Sequence, residues 1–182
     1  MFATMPVSET LEPGMVLQLQ SAALIGFAAL MIIAAFEDLR RLVIPNVLPL
    51  SLCVLWPLYI APTAGLVSVA GAIGCAAIVF IVGAICFSRG FLGGGDVKLL
   101  TAATLWAGPG LAPSLLLATG LFGGALALVL LVPPCAHLAT LARVKLGADA
   151  KLQSGHRLTT PVPYGIAIAA AALLVIFVPH FR

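Results

Sequence analysis

Long apolar runs separated by short polar stretches make up most of this chain. A helix that crosses a bilayer needs about 20 apolar residues, although shorter ones are tolerated. The pattern predicts six such helices. Their expected bounds are 16–36, 47–62, 65–87, 97–107, 111–132 and 162–178. We therefore expect an all-α, polytopic membrane protein with six transmembrane helices.

Two of the six runs are less regular than the others. The second contains Pro49 and Pro57. The fourth is too short to span a bilayer alone, so it must begin inside the glycine turn 93–95 or be re-entrant. The segment Gly108-Pro109-Gly110 separates it from the fifth run.

Small residues recur at helix-contact spacing. Ala70 and Gly74 form one such pair, and Gly120 and Gly124 form another. Pairs of this kind let two helix backbones approach closely in a membrane. In a chain this rich in alanine and glycine, they are equally well explained by composition alone.

Composition supports the membrane assignment. The chain has 182 residues, of which 62% are hydrophobic and 8% charged; an average soluble domain is roughly 25% charged. We expect one integral membrane domain over 1–182, with a short extracytoplasmic tail at 1–15 and a cytoplasmic loop at 133–160. The tail lacks the basic start of a cleavable signal peptide. The net charge of +3 does not indicate a nucleic-acid partner, and we expect none.

The basic residues fix an orientation for the six predicted helices. Eight of the nine Lys and Arg residues fall on one side. Basic loops stay in the cytoplasm, so both termini are expected outside, in a multi-pass protein of the cytoplasmic membrane. The eight are Arg40, Arg41, Arg89, Lys98, Arg143, Lys145, Lys151 and Arg157.

Two acids stand beside apolar runs on this same side. Asp38 lies in FEDLRRLVIPN and Asp96 in FLGGGDVKLL. Carboxylates at membrane depth are costly, and those that occur are usually functional. Asp38 would end the first span and Asp96 would open the fourth, so the two could meet if those helices pack together.

Each acid also has an ordinary interpretation. Asp38 could mark a helix end that reaches the headgroup water, and Glu37 is a rival about 100° away around a helix. Asp96 could be a helix N-cap. A cap does not need three glycines before it, however. Gly93, Gly94 and Gly95 allow positive φ and close backbone approach, which would let a substrate strand lie against the carboxylate.

The other polar groups form no recognisable site. The four cysteines contain no C-x-x-C pair and are expected to be buried free thiols. The three histidines are scattered, so we expect no metal and no cofactor. The segment Pro-Val-Pro-Tyr-Gly at 161–165 opens the sixth span; proline in a first helical turn and tyrosine at an interface are both ordinary.

Two neighbouring carboxylates offer a specific chemistry. They cannot both ionise easily, so they share one proton. The ionised member can activate water while the protonated member donates to a carbonyl oxygen, which hydrolyses an amide. The sequence offers no gathered Ser-His-Asp set, no H-E-x-x-H and no phosphate loop as an alternative.

Three segments carry a resemblance to a known family. DLRRLVIPN (38–46), GGGDVKLL (93–100) and PYG (163–165) resemble the type IV prepilin peptidases, which are G-x-G-D membrane aspartyl proteases. The resemblance implies that Asp38 and Asp96, rather than Glu37, are the catalytic dyad. It assigns substrate binding or loop flexibility to a second set, namely Gly93, Gly94, Gly95, Pro163, Tyr164 and Gly165.

The resemblance also implies a substrate. It would be a prepilin or pseudopilin whose basic leader is cut after a glycine at the cytoplasmic membrane face. Longer members of the family carry a cytoplasmic segment with paired C-x-x-C motifs and methylate the new N-terminus. This chain has no such pairs and resembles the short form that serves Flp/Tad-type pili, so methyltransferase activity is not expected.

Two other functions remain open from the residues alone. Asp38 and Asp96 could form a relay in a small proton or ion carrier, although no acid lies in mid-membrane to continue it. The protein could also be a non-catalytic scaffold of a secretion machine. The oligomeric state is not determined by the sequence.

Overall fold

The computed structural model describes residues 13–61, 66–132 and 163–178, together with His137 and Leu141. Within these ranges every regular element is a helix, as expected. In chain order the helices are α1 (Pro13–Arg41), α2 (Val47–Ile60), α3 (Leu66–Ser88), α4 (Gly94–Leu131) and α5 (Tyr164–Phe177). Almost all of the predicted tail 1–15 and of the predicted loop 133–160 lies outside the described residues.

Three helices in the described part of the chain are long and apolar enough to cross a membrane. They are Gly14–Arg41, Ser68–Ser88 and Gly94–Leu131. Helices α2 and α5 are apolar but have only 14 residues each, about 21 Å of helix, against a hydrocarbon core of about 30 Å. The chain is thus a multi-pass helical protein, while the count of six spans and the side of the termini stay predictions.

Helix α4 covers both the fourth and the fifth predicted spans, but it is not straight. Gly108 has φ 63° and ψ −180°, a backbone conformation that is essentially confined to glycine. Pro109 follows and cannot donate a backbone hydrogen bond. The predicted turn at 108–110 is therefore present, as a sharp break between two helical halves.

The break at Gly108 reverses the direction of the chain, so that the end of α4 lies near its beginning. Gly123 lies against the ring of Tyr164, and the next residue, Gly165, donates to Asp38. A straight α4 would carry Gly123 about 40 Å from Asp96. Asp96, however, is close enough to Asp38 for the two carboxyl groups to interact electrostatically. The second half of α4 therefore runs back beside the first.

Single glycines set how closely the helices pack. A Cβ at Gly83 of α3 would lie 2.7 Å from Val97 Cγ1, and one at Gly71 would lie 3.2 Å from Pro109 Cγ. Gly26 of α1 meets Leu55 of α2 in the same way, at 2.8 Å. Helices α3 and the first half of α4 are consequently antiparallel neighbours in close contact.

The small-residue pairs singled out in the sequence are not the contact points. Gly74, Gly120 and Gly124 have open space where a Cβ would stand, and Ala70 is exposed. The contacts fall at Gly71 and Gly123 instead. Spacing alone could not separate these registers, because glycine and alanine occur on every face of the helices.

An aromatic cluster, just before the Gly108 break in sequence, packs α1, α2 and α4 together. The Trp106 ring lies 4.7 Å from that of Phe27 and 5.2 Å from that of Tyr59, measured between centroids. Its indole N–H donates to the Leu52 carbonyl at 2.9 Å, so the buried polar atom is satisfied. Since Trp106 is about 15 Å along α4 from Asp96, this cluster supports the helices that carry the acids.

The expectation of buried cysteines is wrong for the described residues. Cys53, Cys75 and Cys86 are free thiols, but Cys53 is exposed and the other two are only partly buried. Cys135 lies outside the described residues.

Candidate active site

Asp38 lies in the last turn of α1. The helix was expected to stop at residue 36, but it continues to Arg41. Two basic residues, Arg40 and Arg41, occupy its last turn and complement the negative end of the helix dipole. Leu42 then closes the helix in the left-handed region, with φ 55°, and its N–H donates to the Asp38 carbonyl at 2.9 Å.

The Asp38 side chain is buried rather than turned to the headgroup water. It is only 4% exposed. The backbone N–H of Gly165 donates to its Oδ2 at 2.7 Å. A Cβ at residue 165 would stand 2.8 Å from that oxygen, so only glycine brings the α5 backbone this close.

Glu37, the rival acid, has a different setting. Its side chain is 21% exposed and forms an ion pair with Arg41, one helical turn on, at 3.3 Å. Such i,i+4 pairs are ordinary features of helix surfaces. The structure thus separates two adjacent acids that the sequence spacing could not: Asp38 faces the helix bundle, and Glu37 is engaged along its own helix.

Asp96 lies in the first turn of α4, but it is not the N-cap. Gly93 is the N-cap, in an extended conformation with φ −74° and ψ 144°. Asp96 stands three residues later, and its carboxylate is hydrogen-bonded by the Gly93 backbone. An acid at this position commonly reaches back to the cap N–H in this way. The ordinary interpretation of Asp96 as the N-cap is therefore wrong, because Gly93 takes that position.

The three glycines before Asp96 are used for close packing. A Cβ at Gly95 would lie 3.0 Å from Ile44 Cβ and 3.4 Å from the Ile44 carbonyl oxygen; one at Gly94 would lie 3.3 Å from the Phe87 ring. None of the three has positive φ, which occurs at Gly90 instead. Gly94 and Gly95 are part of α4, and their role in substrate binding or loop flexibility stays a prediction.

The segment before α5 delivers Gly165 to Asp38. Pro163 is buried and is the N-cap of α5. The Tyr164 ring rests on Gly123, where a Cβ would come within 2.6 Å of it. Of the three residues of the PYG motif, Gly165 is the one that contacts Asp38, while Tyr164 packs on α4.

The structure brings Asp38 and Asp96 together. They come from α1 and α4, and their carboxyl groups are close enough to interact electrostatically. Each accepts a hydrogen bond from a glycine backbone. Two such groups can hold one proton between them, which supplies an acid and a base at one place.

Sequence reasoning missed one contact near this pair. Lys98 Nζ donates to Asn46 Oδ1 at 2.8 Å. The sequence placed Lys98 only among the basic residues of the expected cytoplasmic side. Asn46 ends the DLRRLVIPN motif, but nothing in its local spacing predicts a partner 52 residues away.

The described residues contain no group of three or more His, Cys, Asp and Glu side chains that could hold a metal ion.

Comparison with known proteins bears on the site. No curated protein matches the chain, and no solved structure matches it. A family model described as the type IV leader peptidase family matches residues 25–128, more than half of the chain. The match includes Asp38 and Asp96 and ends before the PYG motif. The resemblance seen in the sequence is thereby confirmed, and the chain belongs to the type IV leader peptidase family.

Proposed function

We propose that this protein is a membrane aspartyl endopeptidase that removes the basic leader of Flp-like type IV prepilins at the cytoplasmic membrane face. Membership of the family indicates a peptidase and implies a prepilin substrate. The aspartyl assignment is supported by one observation above all. Asp38 and Asp96 are acids from separate helices that lie within electrostatic reach of each other, each on a glycine backbone amide.

The proposed reaction needs one proton on the pair. The ionised carboxylate takes a proton from water as the water oxygen attacks the scissile carbonyl carbon. The protonated carboxyl group donates to the carbonyl oxygen. When the intermediate collapses, the protonated carboxyl group donates its proton to the leaving amine as the C–N bond breaks. The ionised carboxylate takes the proton of one gem-diol hydroxyl as that oxygen becomes the new carbonyl, so the pair again holds one proton. Either acid can take either role, because a coupled pair titrates as a unit.

The proposed orientation rests on charge and on the shape of α4. Arg40, Arg41 and Lys98 lie within three residues of the acids along the chain, and Arg89 precedes the glycine turn. The chain breaks at Gly108, so in the proposed arrangement each half of α4 is a separate membrane pass. Together these favour six spans in one domain over 1–182, both termini outside, and the acids at the inner face of the cytoplasmic membrane.

Mutation of the two acids tests the function directly. Asp38→Ala and Asp96→Ala should each abolish cleavage of a co-expressed prepilin, read as a shift in its mobility. Asp→Asn at either position should also fail, because an amide cannot exchange the proton. Glu37→Gln is the matched control and should remain within a few-fold of the wild type. Full cleavage in either aspartate variant would refute the dyad.

Purified protein separates this proposal from its two rivals. A scaffold would not cleave a prepilin in detergent, and an ion carrier would move protons into vesicles without cleaving anything. The peptidase should cleave, and a metal chelator should not slow it. The proposed absence of methyltransferase activity is checked in the same reaction with a methyl donor, where the new pilin N-terminus should stay unmethylated.

A further inference from the structure

A hydrogen bond between Lys98 and Asn46 joins the two segments that carry the acids. Lys98 Nζ donates to Asn46 Oδ1 at 2.8 Å. Lys98 is two residues after Asp96 in α4, and Asn46 is eight residues after Asp38, at the start of α2. The contact, which is exposed at the surface, is therefore a bridge between the start of α2 and the second turn of α4, directly after the turn that carries Asp96.

Asn46 is free to make this bridge because its own helix cannot use it. An N-cap asparagine normally accepts from the N–H of the second or third helical residue. In α2 the third residue is Pro49, which has no N–H, and the N–H of Leu48 already donates to the Pro45 carbonyl at 3.1 Å. Asn46 accordingly makes no side-chain cap, and its oxygen is left for Lys98.

The same two segments touch a second time beside the acid. Ile44 is 6% exposed, and a Cβ at position 95 would lie 3.0 Å from its Cβ and 3.4 Å from its carbonyl oxygen, which is a tight contact. Gly95 immediately precedes Asp96. One contact is steric and the other is a charge-assisted hydrogen bond, and the two lie on either side of Asp96 in sequence.

We propose that Lys98 and Asn46 are positioning residues that hold the first turn of α4, and with it the Asp96 carboxyl group, at its working distance from Asp38. The inference rests on the proposed peptidase function. Van der Waals contact at Gly95 limits how close α4 approaches Ile44, and the Lys98–Asn46 bond limits how far it moves or rotates away. A misplacement of about 1 Å in a reacting group can cost on the order of 100-fold in rate, so a modest tether has a measurable effect.

The test is a double-mutant cycle on the purified full-length protein with a leader-bearing pilin fragment as substrate. Lys98→Met and Asn46→Ala should each lower kcat roughly tenfold and leave KM within about twofold, because neither residue touches the substrate. The double variant should be no slower than either single variant, since the bond is already lost. Asn46→Asp keeps an acceptor for Lys98 and should retain kcat within about twofold.

Arg89→Met is the matched control. It removes one positive charge next to the glycine turn without touching the bridge, and its kcat should equal that of the wild type. Thermal unfolding midpoints of all variants should stay close to the wild type, which separates a loss of position from a loss of fold.

Several results would overturn the inference. They are a normal kcat in Lys98→Met, losses that multiply in the double variant, a rise in KM that accounts for the loss, or an equal loss in Arg89→Met. Wild type and Asp38→Ala are run in parallel. A normal rate in Lys98→Met beside an inactive Asp38→Ala rejects the bridge alone, whereas cleavage by Asp38→Ala rejects the dyad itself.

Discussion

At the residue scale, the two acids are each held by a glycine from a different part of the chain. Gly165 donates to Asp38, and the Gly93 backbone bonds Asp96. Glycine suits this task because an amide can approach a carboxylate closely only where no Cβ intervenes. A Cβ at Gly165 would lie within 2.9 Å of three Asp38 side-chain atoms, so this contact leaves no tolerance.

Gly165→Ala should therefore lose most activity. The added methyl group must displace the Asp38 carboxyl group or α5, and a shift of that size is expected to slow cleavage by about 100-fold or more. The rate of leader removal by purified protein measures this. Gly124→Ala is the control, since a Cβ there meets nothing within 4 Å and should leave the rate unchanged. Near-normal cleavage by Gly165→Ala would show that the Gly165–Asp38 contact is not needed.

At the element scale, close packing of α3 on α4 supports Asp96. Val97 follows Asp96, is 4% exposed, and meets Gly83 of α3 with no room for a methyl group. Overpacking at such a contact typically costs 1–3 kcal/mol. The position of the acid thus depends on a glycine thirteen residues earlier in the chain.

Gly83→Ala should lower the thermal unfolding midpoint and slow cleavage, because Val97 and the first turn of α4 must move. Adding Val97→Ala removes the clashing methyl groups and should restore much of both. Gly74→Ala lies on the same helix facing open space and should be neutral or slightly stabilising. The account fails if Gly83→Ala behaves like Gly74→Ala in unfolding measurements.

The break in α4 depends on one glycine. Gly108 has φ 63° and ψ −180°, which costs a residue with a Cβ roughly 1–3 kcal/mol, although open space surrounds it. Gly108→Ala should reduce stability by about that amount in detergent unfolding assays. Gly110→Ala, two residues on and also in open space but without positive φ, should not. Equal stabilities for the two variants would contradict the strained-turn explanation.

At the scale of the whole molecule, the basic residues and the reversal of α4 together predict which residues lie on each side of the membrane. Arg41 and Arg89 should stand on the cytoplasmic face with the acids, and Gly110 on the opposite face. This assignment of faces is a property of the entire helix bundle. It can be tested without any assumption about catalysis.

Cysteine labelling from one side of the membrane measures this topology. In a background with the four native cysteines replaced by alanine, Arg41→Cys and Arg89→Cys should react with an impermeant reagent only in inside-out vesicles. Gly110→Cys should react only in cells whose cytoplasmic membrane is intact and whose outer face is accessible to the reagent. Labelling of residues 89 and 110 from the same side would rule out the six-span arrangement.

The sequence alone determined the class of protein, the approximate helices and the candidate acids. Apolar runs, basic clusters and glycine-proline breaks are local features, and their energetic meaning in a bilayer does not depend on distant partners. For this reason the break at 108–110 was predicted to within a residue. The family was predicted for the same reason, since its motifs are contiguous stretches of sequence.

The tertiary structure alone decided which side chains face each other. Adjacent acids such as Glu37 and Asp38 differ only in the face they occupy, and it is α5, more than a hundred residues away, that selects Asp38 through Gly165. Local residue spacing likewise could not predict the contact glycines or the Lys98–Asn46 bond, because each of these contacts involves a helix that is distant in the chain. Nearly every helix face in this sequence is apolar. Hydrophobicity therefore predicts which segments enter the membrane, but it does not show which face of a helix packs against its neighbours; that is decided by close packing in the folded protein.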